Sequence, residues 1–182
     1  MQVSQELMRE HQLILKTIDA VLKLTEIPAK LEAVEYFRIG KQFVRFVEVF
    51  ADDYHHAKEE EILFKALQEP GVLSHCDPIA QMMMEHDMAR ESLQLIKKAV
   101  SAHNLELFAK GVAQYAHILQ QHIFKEDHVL YPMAEKSLDD QVKASIEREY
   151  VAVEAAKSKD ALWQEFSEFL TQLEQTLAVK TR

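Results

Sequence analysis

His55-His-Ala-Lys-Glu59-Glu-Glu-Ile-Leu-Phe64 and His122-Ile-Phe-Lys-Glu126-Asp-His-Val-Leu-Tyr131 are near-copies of each other. Overlaid, they agree at the His, the Lys, the Glu, a β-branched residue, a Leu and a closing aromatic. The chemistry they share is a His and a Glu four residues apart, present twice. On an α-helix that spacing rises about 6 Å and brings both side chains onto one face. Imidazole with carboxylate is the donor mix that suits iron, manganese or zinc. Two copies on facing helices would supply half or more of a two-metal site.

Working outward from these stretches, apolar residues recur at helical spacing along almost the whole chain. A first helix is expected over about residues 4–26, with Leu7, His11, Ile14, Ile18, Val21 and Leu22 on one stripe and Pro28 ending it. A second starts near Leu31, carries Phe43, Val47, Phe50, Tyr54, Ile62 and Ala66, and stops at Glu69-Pro70-Gly71. After a polar loop, Asp77-Pro78 reads as an N-cap followed by Pro at the first helical position. A third helix then shows Ile79, Met82, Met83, His86, Leu93 and Ile96. The fourth begins near Leu105 and runs to a kink or stop at Pro132. Past Asp139 comes another amphipathic stretch, broken near Ser158-Lys-Asp160, where Asp160 would cap a last helix bearing Leu162, Trp163, Phe166, Phe169, Leu170, Leu173 and Leu177. Short connections between four long helices imply an all-α, up-down-up-down four-helix bundle over residues 1–137. Residues 138–182 form a helical extension that packs on the bundle or mediates self-association into a homo-oligomer.

Composition agrees with that architecture. At 182 residues, 48% of them apolar, with 3 Gly and 4 Pro, the chain reads as one domain of long helices rather than a disordered or turn-rich β protein. A net charge of −9 argues against nucleic acid and anionic membranes as partners. No apolar run approaches the roughly 18 residues of a membrane span. The opening Met1-Gln-Val-Ser-Gln-Glu lacks the basic and apolar regions of a signal peptide, and the single Cys76 suits a reducing compartment. The expected location is the cytoplasm.

A 100° helical wheel tests which polar residues face inward. In the first helix it is His11, bracketed by Leu7, Met8, Ile14 and Leu15; in the third it is His86, behind Met82 and Met83. In the fourth, both His122 and Glu126 lie among Ile118, Leu119, Val129, Leu130 and Met133. Burying an ionised Glu there costs several kcal/mol unless a charge compensates it. Arg90 is the main basic residue on those faces, so a buried metal cluster is the economical compensation. The second helix permits two registers, His55 with Glu59 or His56 with Glu60. The match to the fourth helix and the wheel both favour His55 and Glu59, which leaves His56 and Glu60 turned further toward solvent.

The metal-ligand set is then His11, His55, Glu59, His86, His122 and Glu126. If both carboxylates bridge, each metal receives two imidazole nitrogens and two carboxylate oxygens, and a bridging oxo or hydroxo makes five. One octahedral position per metal stays open, in surroundings suited to a small diatomic or peroxide. Met82-Met83-Met84 reads as core filler rather than a copper site. His75, Cys76, His103, His117 and His128 read as surface residues, and Lys58-Glu-Glu-Glu61 as a solvated face with Glu59 excepted. No Glu stands three residues before any His, so the Glu-x-x-His pattern of ferritin-like di-iron bundles is missing.

At these residues the chain resembles the hemerythrin-like family, the HHE cation-binding domains. The matching pieces are Glu10-His11, the stretch from His55 to Phe64, Glu85-His-Asp-Met-Ala-Arg90, and the stretch from His122 to Pro132, in the family's order. The resemblance implies a four-helix bundle around a non-haem di-iron centre, two iron ions with an oxo or hydroxo bridge. It implies His11, His55, Glu59, His86, His122 and Glu126 as ligands, with both Glu bridging. Oxygen-carrying members have five His, with an HxxxH pair on the third helix, where this chain has Arg90 four residues after His86. Their last carboxylate stands at the position of Asp127, whereas Glu126 fits the HHE pattern. The family's iron-sulfur repair branch carries an N-terminal cysteine-bearing segment that this sequence lacks. Three functions follow as expectations: binding of oxygen, nitric oxide or peroxide for sensing, storage or detoxification; a di-iron oxidoreductase, with Tyr54, Tyr115 and Glu60 as proton-path candidates; or a non-redox module holding a metal such as zinc.

Overall fold

A computed structural model describes residues 2–73 and 78–180 of the chain. Among these residues the ordered structure is helical, with no strand. Helix α1 is Gln5–Thr25; α2 runs over 33–67; α3 is Ile79–Ser101; α4 runs over 105–137; α5 is Asp140–Ala156; and α6 is Lys159–Lys180.

Local chemistry sets most of the boundaries. In α1, Leu7, His11, Ile14, Ile18 and Val21 are buried at intervals of three or four, and Pro28 opens a short 3-10 turn beyond its end. The Asn104 side chain accepts the Leu107 N–H at 2.9 Å to start α4, and Asp139 accepts the Val142 N–H at 2.9 Å to start α5. Gly71, at φ +90°, supplies the left-handed turn after Pro70. The expected N-cap Asp77, with His75 and Cys76, lies outside the described residues. Asp160 is not a cap: α6 begins at Lys159, after Ser158 at φ 56°, and Asp160 falls in its first turn, where a carboxylate favours the helix dipole.

Two helices leave the α register. The second is α-helical over Ala33–Phe46, π-helical over Val47–His56 and again over Glu59–Leu63, and α-helical over Phe64–Leu67. The fourth is α-helical over Leu105–Lys125, π-helical over Glu126–Leu130 and α-helical over Tyr131–Ser137. Pro132 therefore does not end α4. The loosened turn just before it accommodates a residue that lacks an N–H and whose ring crowds the preceding carbonyl.

The bundle packs α1 against α4, α3 against α4, α2 against α3, and α1 against the π segment of α2. Helices α3 and α4 approach closely at Gly111, where a Cβ would stand 2.8 Å from Ile96 Cγ1. Glycine costs a helix roughly 0.5–1 kcal/mol relative to alanine, and the contact of α3 with α4 offsets that. The apolar stripe of α6, from Leu162 through Phe166, Phe169, Leu170 and Leu173 to Leu177, is buried in the same core as α1 and α2.

That core contains Ile14, Ile18, Phe43, Phe46, Phe50, Tyr54, Leu93, Phe108 and Tyr115. A second cluster at the other end joins Leu7, Leu63, Phe64, Met82, Leu130 and Tyr131 to Ile146 and Tyr150 of α5. Every helix from α1 to α4 crosses from one cluster to the other, and the histidines and glutamates occupy the crossing. They form a polar layer between two apolar plugs. No helix among the described residues is long and apolar enough to cross a membrane.

Candidate metal centre

The six residues singled out from the sequence converge in this layer, and all are buried. A seventh joins them. His56 is 3% exposed and stacks on His86 with ring centroids 3.8 Å apart. Its reading as a solvent-facing residue is wrong, for a physical reason. Through Val47–His56 the helix is wound with i→i+5 bonds, so successive residues diverge by less than the 100° of an α-helix. His55 and His56 consequently both face inward, on either side of Glu59. Glu60 is also not free in solvent; it lies over the edge of the layer, 16% exposed at its side chain.

The donor atoms fall into two groups that share a carboxylate. His11, His55, Glu59 and Glu126 form one, and His56, His86, His122 and Glu59 the other; within each, the donors lie within 4.8 Å of one another. Glu59 Oε2 is 3.5 Å from the Nε2 atoms of both His55 and His86, so it stands between the groups. Glu126 spans them as well, with Oε2 3.3 Å from His11 Nε2 and Oε1 3.2 Å from His122 Nε2. His86 Nε2 and His122 Nε2 are 2.9 Å apart. The Tyr131 hydroxyl donates to Glu59 Oε1 at 2.5 Å and lies 3.4 Å from His11 Nε2.

All five rings are oriented by a carboxylate at Nδ1. His11 bonds Asp127 at 2.7 Å, His55 bonds Glu10 at 2.8 Å, His56 bonds Asp52 at 3.2 Å, His86 bonds Glu60 at 2.6 Å, and His122 bonds Glu85 at 3.0 Å. Each Nδ1–H donates outward, which leaves Nε2 as the atom offered to the interior. Four of these carboxylates stand next in sequence to an inward-facing residue, in Glu10-His11, Glu59-Glu60, Glu85-His86 and Glu126-Asp127. One residue of each pair faces the centre while its neighbour reaches the adjacent helix. The result is a closed ring in which α1 holds α2, α2 holds α3, α3 holds α4 and α4 holds α1. Asp127, the alternative carboxylate, thus serves His11 while Glu126 faces inward.

Outside this ring lie cations. Arg90 donates to Asp52 at 2.7 and 2.9 Å and to Glu60 at 2.7 Å; Lys125 pairs with Glu85, and Lys58 with Glu10. Arg90 therefore steadies the carboxylates behind His56 and His86 and does not compensate Glu126. Lys58, expected on a solvated face, is fully buried. Tyr115 belongs to the apolar core, and Tyr54 lies beneath the Lys58 ammonium at 4.2 Å.

The electrostatics of the metal-free layer are polarised. Burial opposes protonation of His11, but its hydrogen bond to Asp127 and the nearness of the Glu126 carboxylate outweigh this and raise it to about 9. His122, likewise opposed by burial, is raised to about 10 by Glu126 and Glu85. Burial, then the nearby His86, lowers His56 to about 3, while burial and the charge on His11 hold His55 well below its ordinary value. Burial works against charge on Glu126, yet His122 and His11 keep it well below the usual carboxylate range. Burial and the charge of Glu126 push Glu59 well above it.

A metal fits these residues on three counts. Glu59 Oε2 and both carboxylate oxygens of Glu126 are buried and accept no hydrogen bond, an arrangement that costs free energy unless another partner takes them. The donor set is imidazole and carboxylate, all facing one layer. With the imidazoles counted as neutral donors, Glu59, Glu126 and the five outer carboxylates are met among the described residues by Lys58, Arg90 and Lys125, a formal deficit that two divalent ions would cancel in place of the protons on His11 and His122. Sequence reasoning missed His56, Lys58, Tyr131 and the outer carboxylates. The adjacency of a carboxylate to an inward-facing residue on all four helices was the signal available for the last of these. The family model described as Hemerythrin HHE cation binding domain matches residues 2–134. No curated protein and no solved structure matches the chain.

Proposed function

Because this chain belongs to the hemerythrin HHE cation-binding domain family, we propose that it is a non-haem di-iron protein that binds a small ligand, namely oxygen, nitric oxide or peroxide, for sensing, storage or detoxification. The observation that carries this reading is the pair of donor groups sharing Glu59, with Glu126 between them and with Glu59 Oε2 and both Glu126 oxygens accepting no hydrogen bond. His11 and His55 would hold one iron, and His56, His86 and His122 the other, with Glu59 and Glu126 bridging. Iron of this kind supplies open coordination positions and redox electrons for a small ligand.

The five-histidine set makes the two positions unequal. Three imidazoles would hold one metal and two the other, so the His11/His55 side, beside the Tyr131 hydroxyl, would keep more room for a small ligand. That hydroxyl donates to Glu59 at 2.5 Å and could turn to a small anionic ligand bound beside it. The apolar plugs above and below restrict access by water and by anything bulky.

An up-down-up-down order of α1 to α4 is part of the same reading. In the ring of Nδ1 bonds, the residue reaching the next helix precedes the inward residue in α1 and α3 and follows it in α2 and α4. Going round the bundle in one sense, that alternation of offset is what helices of alternating direction require.

A second reading, a di-iron oxidoreductase that consumes peroxide or nitric oxide, is favoured by the same Tyr131 hydroxyl, which can pass a proton at the centre. Reduced, iron-loaded protein distinguishes the two. Binding predicts new absorption bands on adding oxygen or nitric oxide that reverse when the gas is removed. Turnover predicts consumption of peroxide or nitric oxide over many cycles, slowed in Tyr131→Phe. Loaded protein unchanged by all three ligands would contradict both readings and leave a non-redox metal module.

A further inference from the structure

Residues 138–182 lie beyond the segment that the family model matches, yet α5 reaches the metal layer. It packs against the π-helical Glu59–Leu63. Lys58 immediately precedes that segment. Its ammonium is fully buried, paired with Glu10 and 3.6 Å from Glu154 of α5. It lies 4.2 Å from the ring centroid of Tyr54 and 5.6 Å from that of Tyr150 of α5. Glu154 is also 3.1 Å from Lys159 of α6, which pairs at 2.6 Å with Glu6 of α1. Charges therefore alternate along Glu6, Lys159, Glu154, Lys58 and Glu10, and the series ends on His55 Nδ1.

The other half of the layer is supported differently. The carboxylates behind His56 and His86 are held by Arg90, and the one behind His122 by Lys125, all from α2, α3 and α4. Among the described residues, the ion pairs that tie an outer carboxylate to α5 run through Lys58 alone.

We propose that α5 is a latch on one of the two metal positions: Glu154, acting through Lys58 and Glu10, fixes His55 and so retains the metal on the His11/His55 side. Lys58 and Glu154 are positioning residues, since neither offers an atom to the metal. With Glu154 neutralised, Lys58 loses one of its two counter-charges. With Lys58 removed, the Glu10 carboxylate loses the ion-pair partner that holds it and is free to turn away from His55 Nδ1, which releases the ring. The three-histidine position has no such dependence on α5.

The inference rests on the two-metal reading, and one experiment separates their failures. Full-length protein is loaded with ferrous iron without oxygen, its iron counted, and the metal withdrawn by excess chelator while release is followed. Wild type is expected to hold two irons and release both slowly. Glu154→Gln and Lys58→Met are expected to release one iron at least about tenfold faster, the scale of effect for residues that orient ligands, with the second as slow as in wild type. Glu165→Gln cuts the 2.7 Å pair that joins Arg45 to α6 away from the centre, and is expected to leave both irons slow. Acceleration of both irons in Glu154→Gln, or of neither, overturns the latch while the two-metal reading stands. Wild type holding fewer than two irons overturns that reading and the latch with it.

Discussion

The near-duplicate stretches in α2 and α4 deliver different numbers of imidazoles. In α4 the chain stays α-helical through Lys125, so His122 points inward and Ile123 packs in the core. In α2 the π-helical winding begins at Val47, eight residues before the motif, and both His55 and His56 turn inward. One motif, with His at its second position in α2 and Ile in α4, thus gives a lopsided centre with two imidazoles on one side and three on the other. Both second positions are buried, His56 at 3% exposure and Ile123 at 2%, so the residue found there, and not the spacing of the motif, decides how many donors a helix contributes.

The strongest way to break this comparison is at the carboxylate each stretch contributes. Glu126→Ala removes the group between the two donor sets and is expected to abolish binding of both metals. Glu60→Ala, one position along from Glu59, takes away only the acceptor for His86 Nδ1 and is expected to weaken binding by about 10–100-fold. Metal analysis of the purified variants reads the difference, and equal retention in both would remove Glu126 from the site. A somewhat smaller effect is expected from His56→Ala, which should leave the His11/His55 metal in place and lose or loosen the other. His128→Ala, at an exposed residue of the paired stretch, should keep both. Two metals in His56→Ala would mean that the second imidazole of α2 is not a donor.

The smallest expected effect is on pH dependence. His11 at about 9 and His122 at about 10 lie above the ordinary histidine value near 6.5. Their protons therefore stabilise the metal-free fold fully below about pH 6.5, and that contribution is lost as pH rises through 9 to 10. Metal must displace the same protons, so its affinity should climb over that interval. Melting curves from pH 6.5 to 10 should show the metal-free protein losing stability while the increment added by metal grows. A metal increment independent of pH would mean that His11 and His122 are not protonated before metal binds.

Much of this is legible in the sequence. Amphipathic periodicity placed the long helices, and an inward-facing polar residue on an otherwise apolar stripe marked His11, His86, His122 and Glu126, because α1, α3 and the first part of α4 are regular α-helices. The wheel lost His56 where α2 is wound differently, since residue type does not announce a π turn. It lost Lys58 for a related reason: a lysine between charged neighbours looks solvated unless the buried carboxylate of another helix is known to meet it. Pro132 looked like a stop because the loosened turn before it is invisible in the sequence. Four of the five outer carboxylates are present in the pattern as acids adjoining Glu59, His86, Glu126 and His11, but their partners lie across the bundle.

The central claim is that one chain holds two irons through five histidines and two shared glutamates. Counting iron per chain in anaerobically reconstituted wild-type protein, after weakly held metal has been removed, tests it most directly. The account predicts two irons per chain; a chain that retains one iron, or none, would contradict it.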